Sequence, residues 1–360
     1  MILLAALTLA LTSCVLPTQA VDLEGQLWEQ MGTSALEDAA EGTFSVKEGT
    51  NLQKGLGVLA SQASEQVDAV LHSAFRSAGF MLLVVLFCGV GSTLFQSGQS
   101  AMTRTADLIG VTVITLVAVS DTASMLGLGR EAIDQIDAFS KVLIPTMATA
   151  TAACGSVTGA VVRQAATLLF SDLLITLINR VLIPVVYLYI AVTAATAALG
   201  SKGIAAIAGF MKKGVKGVMT AILLVFTGYL TLSGAAAGAA DATALKATRM
   251  AISSMVPVVG GILSDATETV LTGASAIRSG IGIFGTLVIL GFCVVPFLYL
   301  GVQYLVYKLV AMLASVLYQG TISDLIDQIG AAFGLVLGML GSCALLVLLS
   351  LIGTISVAMT

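Results

Sequence analysis

Long apolar runs separated by short polar stretches dominate the chain from residue 79 onward. The runs at 79–95 and 108–126 approach the ~20 residues that a membrane-spanning helix requires. Further runs follow at 142–162, 165–199, 218–240, 250–263, 281–307 and 331–359. The run at 165–199 is interrupted by the polar pair Asn179-Arg180, and those at 142–162 and 250–263 are short or rich in small residues, as re-entrant segments are. Residues 22–76 differ, with nine acidic and three basic side chains. There Leu52, Leu56, Leu59, Ala63, Val67 and Val70 recur at helical spacing after a break at 42–49, which predicts two amphipathic helices outside the membrane. Leu27 and Trp28 serve as an interface or packing anchor, or as part of a docking face for a partner, because an amphipathic surface must pack on something.

Composition agrees with the pattern. Hydrophobic residues make up 58% of the chain, charged residues 10%, and the mean hydropathy is +1.03, whereas soluble domains carry about 25% charged residues. The expected fold is therefore an all-α, polytopic transmembrane helical bundle. A net charge of -4 without a basic stripe excludes nucleic acid as a partner; the bilayer is the partner that composition names. At the N-terminus, the apolar core 2–11, Pro17 and Thr18-Gln19-Ala20 read as a signal peptide cleaved after Ala20. Leu11-Thr12-Ser13-Cys14 also resembles a lipoprotein box that would place a lipid on Cys14.

Beyond Pro17, the prolines are Pro145, Pro184, Pro257 and Pro296, and they form two pairs with the same spacing of 39 residues, offset by 112. Each follows a β-branched residue, and Tyr187-Leu188 matches Tyr299-Leu300. Proline removes a backbone hydrogen bond and clashes with the preceding turn, so these four are candidate hinges in two repeats of about 112 residues with proline-broken helices. The expected organisation is a signal peptide at 1–20, an extracytoplasmic helical region at 21–77, a first transmembrane pair at 78–137, and membrane repeats at 138–249 and 250–360.

Lys202, Lys212, Lys213 and Lys216 cluster between apolar segments and mark a cytoplasmic loop. The counterpart around Ser323-Asp324 and Asp327 has no cation, which places it on the opposite side and makes the repeats inverted. Counting spans from an exported N-terminus puts the lysines outside, so either 142–162 is re-entrant or 165–199 crosses twice around Asn179-Arg180.

Small residues four apart mark helix-packing faces at Gly155 and Gly159, at Gly234 and Gly238, and at Gly330, Gly334 and Gly338. The last set is the best candidate for an assembly interface. Asp172, Asn179 and Arg180 are polar groups inside an apolar run, facing a cavity or a partner charge, or lying at a helix end with Arg180 snorkelling. Asp265 and Glu268 share a helix face near an N-terminus that favours anions; they read as a cation-binding pair or as a cap. There is no phosphate-binding Gly-x-x-x-x-Gly-Lys-Ser/Thr loop. The single histidine, His72, and cysteines 14, 88, 154, 293 and 343 have no metal or redox spacing, and the hydroxyls have no paired base. No catalytic residue, cofactor or metal is expected.

The stretch Ala251-Ile252-Ser253-Ser254-Met255-Val256-Pro257-Val258-Val259-Gly260-Gly261-Ile262-Leu263-Ser264-Asp265-Ala266-Thr267-Glu268-Thr269-Val270-Leu271 resembles the signature of the stage III sporulation protein AE family of endospore-forming bacteria. The segment 142–162, the stretch from Arg180 to Pro184 and the signal-plus-exported-helix layout are similar too. The resemblance implies a noncatalytic, multi-pass protein of the mother-cell membrane around the forespore, acting in the sporulation channel or secretion-like complex that joins the two cells. It also implies companion proteins, including a secretion-type ATPase and ring-forming proteins, consistent with the missing phosphate loop. The alternative reading is a stand-alone secondary transporter with inverted repeats and Asp172 and Asp265 in ion coupling.

Overall fold

In the computed structural model, the residues described are 52–94, 100–154, 157–255, 260–317 and 321–356. They form α1 (Leu52–Leu94), α2 (Ser100–Ala153), α3 (Val157–Leu177), a π turn (Ile178–Leu182), α4 (Ile183–Leu199), α5 (Lys202–Met255), α6 (Gly260–Leu317) and α7 (Thr321–Ser356). With α3, the π turn and α4 counted as one unit, six helices are long and apolar enough to cross a membrane. The signal peptide, Cys14, Leu27 and Trp28, Gly155 and Pro257 lie outside the described residues.

The helices are longer than the apolar runs within them. The amphipathic 52–76 and apolar 79–94 stretches form one helix, α1, since nothing between them stops a helix and Gly79 alone costs about 1 kcal/mol relative to alanine. Likewise 108–126 and 142–153 belong to one helix of 54 residues, α2. Its charged middle is helical because the charges pair one turn apart, Arg130 with Asp134 at 3.9 Å and Asp137 with Lys141 at 2.7 Å. Ile133, Ile136, Phe139 and Leu143 meanwhile bury the opposite face at three- and four-residue spacing. The expected boundaries at 77/78, 137/138 and 249/250 therefore fall inside α1, α2 and α5.

Prolines do not break these helices in the way the sequence predicts. Pro145 and Pro296 lie inside the continuous helices α2 and α6. Pro184 occupies the first turn of α4, where a missing N–H costs nothing. The irregularity lies just before it, where the Ile183 N–H bonds the Ile178 carbonyl across the π turn. A true stop comes at Gly200, whose left-handed φ of 65° ends α4 with its N–H on the Thr196 carbonyl at 2.8 Å.

Cross-helix contacts fix the direction of each element. A methyl on Gly110 would meet Cys88 and Ile322, and one cleft is lined by Thr196, Ser201 and Thr321. Late α1, early α2, late α4, early α5 and early α7 therefore share one end of the bundle. At the other end Met147, Ala160 and Ser350 line a common cleft, so the six units alternate up and down.

This arrangement corrects two expectations. The four lysines sit in the opening turns of α5, separated from α4 only by Gly200 and Ser201, and not in a long loop. Asp327 is at the same end as they are, paired with Lys308 at 2.5 Å and within electrostatic reach of Lys212. The absence of cations around Ser323 therefore does not signal the opposite side, and α4 and α6, which carry Pro184 and Pro296, run in the same direction, so the two halves are not inverted. The parity problem also disappears. The run at 142–162 is the end of one crossing and the start of the next, and the Asn179-Arg180 interruption is a π turn within a single crossing, which leaves the start of α1 and the lysines at opposite ends.

Helices α6 and α7 form the buried centre. Phe284, Leu287, Val288, Ile289, Leu300 and Tyr307 of α6 and Phe333, Met339, Leu340 and Leu346 of α7 are fully buried. The glycine face of α7 is filled by the chain's own side chains: a Cβ at Gly330 would lie 3.0 Å from the Tyr307 Cβ, one at Gly334 3.2 Å from the Tyr304 ring, and one at Gly338 3.5 Å from Met219. Small residues here let backbones approach, so the face expected as an assembly interface is an intrachain joint. Gly159, Gly234 and Gly238 lie in α3 and α5, and their surroundings are outside the described residues.

Gly330→Leu is expected to destabilise the protein by about 1–3 kcal/mol through overpacking against Tyr307. Gly301→Leu, on α6 with nothing within 4 Å of its Cβ position, serves as the control. Thermal unfolding in mild detergent checks the pair: a lower midpoint for the first variant alone is expected, and equal midpoints would contradict the close approach.

Candidate functional site

Three polar constellations join the helices. The first centres on Asp121 of α2, whose carboxylate accepts hydrogen bonds from the Tyr307 hydroxyl at 2.9 Å and the Gln303 amide at 3.2 Å. Gln303 and Tyr307 are one helical turn apart on α6 and so present both donors on one face. Bonds to an ionised acceptor are about twice as strong as neutral ones. The second is at the lysine end: Lys308 of α6 donates to the Asp327 carboxylate and its backbone carbonyl, at 2.5 and 3.3 Å. The Lys308 ammonium also lies 5.9 Å from the centre of the Tyr304 ring, a cation–π distance. Close by, the Tyr189 hydroxyl of α4 donates to the Gln328 carbonyl at 3.1 Å. At the far end the hydroxyls of Thr167 and Ser350 meet at 2.5 Å.

The third constellation gathers residues that the sequence singles out. Asn179 lies in the π turn and donates through Nδ2 to Asp134 of α2 at 3.2 Å, and Asp134 also pairs with Arg130. Arg180 is exposed beside Asn179, and Asp172, exposed on α3, acts electrostatically on Lys141 of α2. The structure thus brings Asp172, Asn179 and Arg180 onto one flank with the charged middle of α2. None of the three sits at a helix end. Asp265 and Glu268 lie in the first turns of α6, and their side-chain surroundings are outside the described residues.

Asp121, Gln303, Lys308 and Asp327 were not picked out as site residues in the sequence, although the rule that flags Asp172 applies to the first three. Asp121 interrupts the run at 108–126, Gln303 the run at 281–307, and Lys308 ends that run. Buried Arg163 and Arg278 carry the same signal more weakly, because each borders an apolar run.

Beyond these joints, a cleft of about 220 Å³ opens at the lysine end, lined by Thr193, Thr196, Ser201, Lys202, Thr321 and Asp324. No group of three or more metal-ligating side chains occurs among the described residues. Between the second and third crossings, burial pushes the Cys154 thiol above its ordinary range against the opposing influence of Arg278, which disfavours the thiolate a nucleophile needs. The polar groups as arranged tie helices together, and Arg130, Asp134, Asp172 and Arg180 lie exposed on the bundle's surface.

Residues 49–359 match the sequence model of a family described as stage III sporulation protein AE. The chain is also 23% identical over 276 residues to the stage III sporulation protein AE of Bacillus subtilis (strain 168), an alignment that covers 76% of this chain and 69% of that protein. No solved structure matches the chain.

Tyr307→Phe removes one donor from Asp121 and is expected to cost about 1.5–3 kcal/mol, the range for hydrogen bonds to charged groups. A double-mutant cycle with Asp121→Asn, read by unfolding in detergent, checks it. A coupling above about 0.5 kcal/mol is expected for residues in contact; strictly additive effects would contradict the bond.

Proposed function

Because the chain belongs to the stage III sporulation protein AE family, we propose that it is a noncatalytic membrane subunit of a sporulation channel or secretion-like complex linking mother cell and forespore and required for forespore development. That it is a multi-pass membrane protein of a sporulation family follows from the six membrane-length helices among its described residues and the family match. In this reading it resides in the mother-cell membrane around the forespore. Its companions there are ring-forming proteins and a secretion-type ATPase, which supplies the energy that a chain without a phosphate loop does not.

The observation that carries the reading is the use to which the polar groups are put. The Asp121, Lys308 and Tyr189 contacts each tie one helix to another, as a structural subunit requires. The competing transporter reading needs ion-coupling groups in a central cavity between inverted halves, but Asp172 is exposed on the outer surface of α3 and α4 and α6 run in the same direction. The described parts of the proposed regions at 21–77, 78–137, 138–249 and 250–360 then follow one another along one bundle, with Pro184, beside the π turn, as the favoured hinge.

The excess of lysine at one end of the bundle supports an orientation with that end in the mother-cell cytoplasm. In a cysteine-free background, Lys213→Cys and Lys216→Cys are expected to react with thiol reagent only from the cytoplasmic side, and Ser61→Cys only from the opposite side. Purification in mild detergent from sporulating cells, with the same variants, is expected to bring down companion proteins including the ATPase. Labelling of all three positions from one side would overturn the orientation, and a chain that purifies alone from cells that sporulate normally would overturn the complex.

A further inference from the structure

The cleft at the lysine end lies between α4, α5 and α7, and it follows from the way α4 stops. Gly200 takes its left-handed φ of 65° and α5 begins two residues later, so α4 and α5 meet at a tight corner that Thr321 of α7 also lines. Ala197, Gly200 and Ala205 keep the walls small, and the buried Leu325 adds an apolar patch. A Cβ built on Gly200 would meet nothing within 4 Å. At about 220 Å³ the space is smaller than the roughly 300–1,000 Å³ of pockets for drug-sized ligands. It suits a small molecule.

Two opposite charges line this one cleft, Lys202 of α5 and Asp324 of α7. Both are exposed, and neither takes part in an ion pair or a side-chain hydrogen bond among the described residues, whereas Asp327, three residues beyond Asp324, is joined to Lys308. The next lysine of α5 comes ten residues on, about 15 Å along the helix, so Lys202 is the cation of the cleft. It opens α5, where the helix dipole disfavours a cation, and such breaches of a local rule gather at functional positions. The Thr193 and Thr196 hydroxyls donate to the Ile190 and Val192 carbonyls at 2.8 Å, which leaves their lone pairs as acceptors. A plain anion drawn to Lys202 is repelled by Asp324, and a plain cation drawn to Asp324 is repelled by Lys202. A molecule that carries both charges meets a partner at each end.

We infer that the cleft between α4, α5 and α7 is a binding site for a small zwitterion of the amino-acid type, its anionic group held by Lys202 and its ammonium by Asp324, with Thr193 and Thr196 as further acceptors. A free amino acid has this chemistry, and so does the ethanolamine phosphate headgroup of a lipid. The inference goes beyond the channel reading and does not rest on it, because it needs only the cleft and its charges.

The test uses the full chain, in mild detergent and in lipid nanodiscs. The soluble probes are the common amino acids, O-phosphoethanolamine, and the single-charge compounds propionate and ethylamine. The lipid probe is phosphatidylethanolamine added to phosphatidylglycerol nanodiscs. A ligand of the folded state raises the unfolding midpoint according to its occupancy, so midpoints are read across each titration. At least one zwitterion is expected to raise the midpoint, and neither single-charge compound is expected to match it. Lys202→Gln and Asp324→Asn are each expected to weaken that zwitterion by about tenfold or more, as loss of a hydrogen bond to a charged group does. Ala205→Leu is expected to weaken it by filling the cleft, and Lys213→Gln, exposed and outside the cleft, to leave it unchanged. A response to soluble zwitterions in detergent assigns the site to a free solute, and a response confined to nanodiscs with phosphatidylethanolamine assigns it to the headgroup. No response to any zwitterion or to the lipid, an equal response to a single-charge compound, or an undiminished response in both charge variants would overturn the inference. Where a variant fails to fold, the comparison of zwitterions with single-charge compounds on the unaltered chain decides.

Discussion

The close approach of α6 and α7 at Gly330 is the constraint on which the rest of the bundle depends. With no side chain at that position, Tyr307 reaches the α7 backbone, lays its ring edge-on against Phe333 at 4.9 Å and delivers its hydroxyl to Asp121 of α2. One turn along, the Tyr304 ring covers Gly334 and lies under the Lys308 ammonium, which is itself tied to Asp327. Packing and hydrogen bonding at this joint therefore set the position of three helices. In a bilayer this matters more than in water, because lipid is as apolar as leucine and helices associate through packing and polar contacts.

Around that joint the molecule is asymmetric. Helix α5 is covered mainly on the side that meets α3, α4 and α7 and exposes Phe210, Leu224 and Leu232, while α2 exposes charge. The chain keeps α2 helical through its charged middle because Ala132, Ile133, Ile136 and Phe139 bury one face in the shared core, which leaves the salt-bridged face at the surface of the bundle. The polar flank is thus built on a rigid element, which suits a surface that must hold its shape against neighbouring subunits.

Much of this was legible in the sequence, and the gaps have physical causes. The helical class and membrane character follow from run length and hydropathy, and the polar interruption at Asn179-Arg180 marks the π turn found among the described residues. Helix ends were harder, because a change from apolar to charged composition reports a change of surroundings and not a break in the backbone, as α1 and α2 both show. The prolines misled for a related reason: at Pro145 and Pro296 neighbouring helices support a continuous helix that proline alone disfavours. Asp121 and Lys308 passed unremarked because their partners, Tyr307 and Asp327, are distant or borne by another helix, and no local pattern reveals such a pairing. The glycine face of α7 was visible by its spacing, but only the contacts with Tyr304 and Tyr307 identify the partner as the chain's own α6.

The account makes the chain a structural subunit whose conduit is complete only in company. Flux measured in liposomes tests this most directly, by comparing the purified chain with the purified complex for release of a small hydrated ion. The account predicts no release above the level of empty liposomes for the chain alone and clear release for the complex. Solute movement by the chain alone, saturable and abolished by Asp172→Asn, would contradict it and establish a self-sufficient transporter instead.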